Sequence, residues 1–181
     1  MIEVLRSLFP AVALEPGESI DQPVIRVPVA SLIEVCRALR DHADLGFILL
    51  ADITAVDWWP REPRYEVVYH LSSMTQRLRL KVTVEGSSPR LPTVQAIWPA
   101  AGWLEREVWD MFGIVFNDHG DLRRLLMPDE WEGHPLRKDF PVQVRLRPRY
   151  ESPLQVTEEE FRANLARDKA ARADAPGKSG A

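Results

Sequence analysis

Apolar positions along this chain fall into short periodic runs separated by proline-rich breaks, and the period changes from run to run. Val4, Leu5 and Leu8 share one side of a short helix predicted over residues 1–9. Val24 to Val29 reads as a strand, and Pro23 and Pro28 at its ends point to an edge position, where a missing N–H is tolerated. Ser31 and Glu34 have capping-box spacing, and Leu32, Val35, Cys36 and Leu39 follow as the apolar stripe of a helix. Phe47 to Val56 is a mostly apolar run suited to a buried strand. Two alternating runs come next. Tyr65, Val67, Tyr69 and Leu71 share one face, then Leu78, Leu80, Val82 and Val84, with Arg77, Arg79, Lys81 and Thr83 opposite. Residues 72–76, SSMTQ, join them as a hairpin loop. One face of this sheet is expected to be wet and the other covered by helices.

Gly86 to Pro92 reads as a loop, and a short helix is predicted from Thr93 to Trp98, ended by Pro99. Ala101 to Phe112 is the next helix, with Gly113 where a C-cap glycine belongs. Beyond Gly113 periodicity fades, and residues 128–148 are rich in Pro, Trp and Arg. Thr157 and Glu160 again have capping-box spacing, predicting a charged helix to about Arg172 that is marginal alone. Together these elements predict an α+β fold: two layers, with helices packed on one face of a mixed, mostly antiparallel sheet. Residues 1–141 form the domain, and residues 142–181 an extended, partly helical C-terminal tail that docks on partner subunits.

Composition removes several classes of function. At 181 residues the chain can bury about 70% of its unfolded surface, so it needs no disulfide or metal to fold. A net charge of −4 argues against general binding to a phosphate backbone. The single cysteine, Cys36, excludes an internal disulfide and a thiolate-held iron–sulfur cluster, and fits a reducing compartment. The first residues lack the basic start and uninterrupted apolar stretch of a secretory signal. No apolar run is long enough to span a bilayer, so membrane association is expected only through a partner. No GxGxxG or P-loop pattern supports an independent nucleotide site.

The candidate chemistry lies between Trp103 and Pro141. Aromatics (Trp103, Trp109, Phe112, Phe116, Trp131, Phe140) are interleaved there with many charges. Arg106 and Asp110 are four apart and Glu107 and Asp110 three apart, so each pair neighbours on a helix surface. A carboxylate pair could serve acid–base work, and Glu107, Asp110, His119 and His134 could form a metal site. Neither HExxH nor CxxC spacing supports the metal, and no oriented nucleophile accompanies the carboxylates. A docking segment is the better reading. Arg123–Arg124 and Arg137–Lys138 then pair with nearby carboxylates, because guanidinium forks suit such pairing. Asp52 and Asp57, at the end of the apolar strand, read as capping and turn residues, and Trp58–Trp59–Pro60 as a loop.

At these residues the chain resembles the 30-kilodalton subunit of respiratory complex I, the NADH–quinone oxidoreductase. The likeness rests on EREVWDMFGIVF at Glu105–Phe116 and HGDLRRLLMPDEWEGHPLRKDFP at His119–Pro141. DITAVDWW from Asp52, YEVVYHLSS from Tyr65 and IWPAAGWLERE from Ile97 extend it to about residues 47–145. Gly120 stands where many members have Pro. The resemblance implies a non-catalytic scaffold in the hydrophilic arm of a proton-pumping NADH–quinone oxidoreductase. It implies no cofactor on this chain, with FMN and iron–sulfur clusters on partner subunits. The implied partners are the 49-kilodalton subunit that forms the quinone cavity and the iron–sulfur subunits, on the cytoplasmic side of the cell membrane. The same module also occurs in related membrane-bound hydrogenases and deazaflavin-dependent dehydrogenases. Glu105, Arg106, Asp110, His119, Asp121, Arg123, Arg124, Arg137, Lys138 and Asp139 are expected to form the internal and intersubunit polar network.

Overall fold

The computed structural model describes residues 2–17 and 19–141, and beyond them Glu159, Arg162, Ala163, Ala166 and Arg167, which are helical and exposed. The tail and the Thr157–Arg172 helix otherwise lie outside the described residues. The chain divides into two compact units, Met1–Pro141 and Val142–Ala181.

The first unit is α+β. Its elements are α1 (Ile2–Leu8), β1 (Glu15–Gly17), β2 (Val24–Arg26), α2 (Leu32–Asp41), β3 (Leu49–Asp57), β4 (Tyr65–Ser72), β5 (Arg77–Val84), β6 (Arg90–Pro92), α3 (Ala101–Phe112) and β7 (Val115–Asn117). Five strands form one mixed sheet in the order β1-β2-β5-β4-β3. Only the β2–β5 pairing is parallel. The alternation in β4 and β5 sets the register: Tyr65, Val67, Tyr69 and Leu71 stand opposite Val84, Val82, Leu80 and Leu78. Ile53, Ala55 and Asp57 continue the same rows into β3. This face packs in one core with Leu5 of α1, with Leu32, Val35, Cys36 and Leu39 of α2, and with Ala101, Val108 and Met111 of α3.

Several expectations change. The β2 strand ends at Arg26 and is internal, because β1 pairs along its outer side; a single 3-10 turn follows at Val29–Ser31. Ser31 precedes α2 without a side-chain cap bond, so the capping box does not form. The run from Phe47 makes an edge strand, not a buried one, with Ile48, Leu49 and Val56 exposed. The expected wet face is covered at β4, where Glu66 and Val68 are buried. Lys81 and Arg26 reach over to Glu66 at 2.7 and 3.8 Å, laying their aliphatic stems across the sheet. The predicted helix over Thr93–Trp98 is a turn, closed by bonds from the Ile97 and Trp98 N–H groups to Val94 O. The Trp98 indole N–H ties it to Phe47 O at 3.1 Å. Sequence periodicity also misses β6 and β7, three-residue strands that pair in parallel as a separate sheet.

Helix α3 spans the predicted residues and ends at Gly113, at φ +76°. A Cβ on Gly113 would collide with His134 and Arg137, which lie against the helix end. The helix stop and the docking of the following chain therefore share one glycine. We expect Gly113→Ala to destabilise the full chain by about 1–3 kcal/mol, from left-handed strain plus displaced side chains. Urea unfolding measures this; an unchanged midpoint would contradict the geometry.

Candidate functional site

Helix α3 buries an apolar face against the sheet, and it also buries Glu105, Arg106 and Asp110. These charges lie under residues 118–141, a strap with little regular structure that crosses the helix. Backbone polar groups in an irregular segment still need partners, and α3 supplies them.

Asp110 is fully buried and is the main anchor. One carboxylate oxygen accepts the consecutive N–H groups of Leu125, Leu126 and Met127 at 3.0, 2.8 and 2.9 Å. The other accepts Arg124 Nη1 at 2.7 Å. Burial alone would raise its pKa; these four donors reverse that and hold it below the ordinary value. Arg124 also donates to the carbonyls of Trp131 and Gly133 at 2.5 and 3.0 Å, and lies over the Trp109 ring. Arg106 donates to the carbonyls of Arg123 and Arg124 at 3.2 and 3.0 Å, under the face of Trp103. Asp121 sits 3.8 Å from Arg106 and 2.9 Å from Arg123.

The far end of the strap is pinned to the sheet. Arg64 forks onto Asp57, Nε to Oδ1 at 2.9 Å and Nη2 to Oδ2 at 2.8 Å. The same guanidinium binds Asp139 at 3.0 and 2.6 Å. Asp57 also accepts the N–H groups of Lys138 at 2.8 Å and Trp59 at 2.9 Å. Burial acts to raise the Asp57 pKa, but the Arg64 fork and the two N–H groups bring it down to about 2. Arg64 holds Asp139 below its ordinary value too. Nearby, Arg137 Nε donates to Phe112 O at 2.6 Å, and the Leu136 N–H to Met111 O at 3.0 Å. His134 Nδ1 bonds the Asp110 carbonyl at 3.0 Å, and burial lowers its pKa.

Glu105 anchors a third cluster, linked to the first through His119, whose Nδ1 accepts the Asp121 N–H at 3.0 Å. It accepts the Thr93 hydroxyl at 2.5 Å and the Val94 N–H at 2.8 Å, with His119 Nε2 at 3.9 Å.

Nine of the ten residues expected to form one network thus fall into three groups, the first and third joined by the Asp121 N–H bond to His119. Arg106, Asp110, Asp121, Arg123 and Arg124 share one group, Asp139 and the Lys138 N–H another, and Glu105 and His119 the third. Arg137 joins the helix end instead of a carboxylate. Arg106 and Asp110 are not paired with each other; both turn to the strap. Glu107 is exposed and forms no carboxylate pair with Asp110. Glu107, Asp110, His119 and His134 do not converge, and among the described residues no cluster of metal-binding side chains exists. Sequence reasoning misses Arg64, the hub of the second group. It takes Asp57 as a turn residue; the Trp59 N–H bond fits that role, and the Arg64 and Lys138 bonds show it to be only part of what Asp57 does. A charged residue opening an apolar strand seven positions after Asp57 is the available signal.

Every buried charge among the described residues of the domain is engaged by the domain's own chain, which defines the class: an α+β module whose interior charge serves packing. The family described as "Respiratory-chain NADH dehydrogenase, 30 Kd subunit" matches residues 25–145. The C subunit of the NADH-quinone oxidoreductase of Roseiflexus sp. (strain RS-1) is 45% identical over 144 residues, 78% of this chain and 83% of that protein. The joined C/D subunit of the NADH-quinone oxidoreductase of Methylococcus capsulatus is 44% identical over 146 residues, 76% of this chain and 25% of that longer protein. Among solved structures, the membrane-bound sulfane sulfur reductase, an archaeal respiratory membrane complex, contains a similar chain. The TM-score is 0.67 at 28% identity, over 87% of this chain and 92% of that one. The chain belongs to the 30 Kd subunit family of the respiratory-chain NADH dehydrogenase.

Arg64→Ala strands Asp57 in the interior and is expected to destabilise the full chain by about 3–5 kcal/mol, with Arg64→Lys recovering part. The Asp57 pKa is depressed on folding, so its contribution, about 2 kcal/mol, is present above the ordinary value of 3.8 and lost as pH falls through about 2. Acid unfolding of Asp57→Asn should lack this component; an unchanged acid profile would refute the assignment.

Proposed function

We propose that this chain is a non-catalytic scaffold subunit in the hydrophilic arm of a proton-pumping NADH–quinone oxidoreductase, with electron transfer a property of the assembly. The observation that carries this reading is the α3–strap unit. Its buried charges, Arg106 and Asp110, are turned inward onto the strap's carbonyl and N–H groups, while Trp103, Leu126 and Leu136 remain 62%, 60% and 54% exposed. Large apolar side chains held outward by a pinned strap suit a permanent interface.

FMN and iron–sulfur clusters belong to partner subunits in this reading. The chief neighbour is the 49-kilodalton subunit of the quinone cavity, together with iron–sulfur subunits. The Methylococcus relative, whose name joins two subunits in one chain, supports a close neighbour of this kind. No helix among the described residues is long and apolar enough to cross a membrane, and the chain reaches the cytoplasmic face of the cell membrane through its partners. Residues 142–181 serve as a docking tail. A second reading, the same scaffold in a related membrane-bound complex such as a hydrogenase or a deazaflavin-dependent dehydrogenase, is favoured by the similarity to the sulfane sulfur reductase chain.

Affinity purification of the tagged chain from native membranes separates the two: an NADH-oxidising flavoprotein co-purifies under the first reading and is absent under the second. Replacing Leu126 and Leu136 with Asp should leave folding within about 0.5 kcal/mol, because both are surface positions. Assembled complex on blue-native gels should fall several-fold. Normal assembly with lost quinone reduction would overturn the scaffold reading.

A further inference from the structure

Glu105 differs from the other inward-facing carboxylates. Asp57 is forked by Arg64 and Asp110 is bonded by Arg124. Glu105, also fully buried, meets only neutral donors, the Thr93 hydroxyl and the Val94 N–H. The nearest group able to carry positive charge is His119, with Nε2 3.9 Å from Oε2 and a side chain only 1% exposed. Its Nδ1 accepts the Asp121 N–H at 3.0 Å, which leaves the proton on Nε2, aimed at Gly102 O at 3.0 Å.

The other elements around Glu105 add no cation. Helix α2 contributes Cys36 and β4 contributes Tyr69, both buried and both coupled electrostatically to Glu105. The Tyr69 hydroxyl makes no hydrogen bond among the described residues. Arg106, next on α3, turns away to the strap carbonyls and Asp121. An ionised Glu105 would therefore be an anion in the interior without a counter-charge, a state that burial strongly disfavours.

We propose that Glu105 is a buried proton-binding site, roofed by His119, whose ionisation adjusts how tightly the Thr93–Trp98 turn and the start of the strap close over α3. Uptake of one proton from solvent converts the carboxylate to the acid and removes one negative charge from the interior. Loss of that proton leaves the charge facing two neutral donors, and the roof relaxes to admit water.

The electrostatics agree with the geometry. Burial pushes the Glu105 pKa up to about 7, with the Thr93 and Val94 bonds opposing it. A carboxyl raised on folding gives stability that is complete below its ordinary value of 4.5 and lost as pH rises through about 7. The site therefore changes state near neutral pH, where ordinary carboxylates are already ionised.

Carbon-13 NMR of side-chain carboxyl groups in the full chain tests this. We expect one resonance, correlated with the Glu105 side-chain protons, to titrate with a midpoint near 7 and to be missing in Glu105→Gln. Protection of the Val94 amide against exchange should fall across the same interval in the wild type and stay level in the variant. Titration of every carboxyl carbon below about pH 6, or a signal near 7 that persists in Glu105→Gln, would overturn the proposal. Should the variant fail to fold, the wild-type titration decides alone.

Discussion

An ionised carboxylate in a protein interior must be surrounded by donors, and Asp110 finds them in three successive backbone N–H groups and one guanidinium. Much of the second half of the domain follows from this. The strap has few regular hydrogen bonds of its own, so Asp110 and Arg106 act for it as a neighbouring strand would. Gly113 brings the chain back at the right place, because a side chain there would strike His134 and Arg137. Asp57 and Arg64 then fix the far end at Lys138 and Asp139. A charged helix face and an aperiodic loop, each implausible alone, together make one packed layer.

That arrangement explains which parts are legible in the sequence. Helix α3 and its terminus are plain there, since Val108, Met111 and Gly113 obey local rules of period and capping. The β4–β5 hairpin is plain for the same reason: alternation of period two is a local property. Edge and interior positions are not legible. Whether Val24–Arg26 or Leu49–Asp57 lies at an edge depends on strand order, which local pattern does not carry. The three-residue strands β6 and β7 are too short for any period to show. Most of the charged residues that matter stand out in the sequence, but their partners do not. Arg106 and Asp110 are spaced to meet on a helix surface, and each instead finds better geometry across the strap. Arg64 has Asp57 seven residues away, but its second partner, Asp139, is distant in sequence.

The division of labour between charge and apolar surface bears on function. Buried ion pairs often contribute little net stability, yet removing one partner is strongly destabilising. The interior charges engage the strap and one another, and Trp103, Leu126 and Leu136 are among the large apolar side chains left exposed.

The account stands or falls on whether the Asp110 carboxylate actually holds the strap. Native-state amide exchange of Leu125, Leu126 and Met127 in the isolated full chain measures this directly. These amides lie in a segment without helix or strand, where ordinary loops exchange quickly. The account predicts protection comparable to the core of β4 and β5, collapsing in Asp110→Ala. Exchange of the wild-type amides at rates typical of an open loop would contradict it.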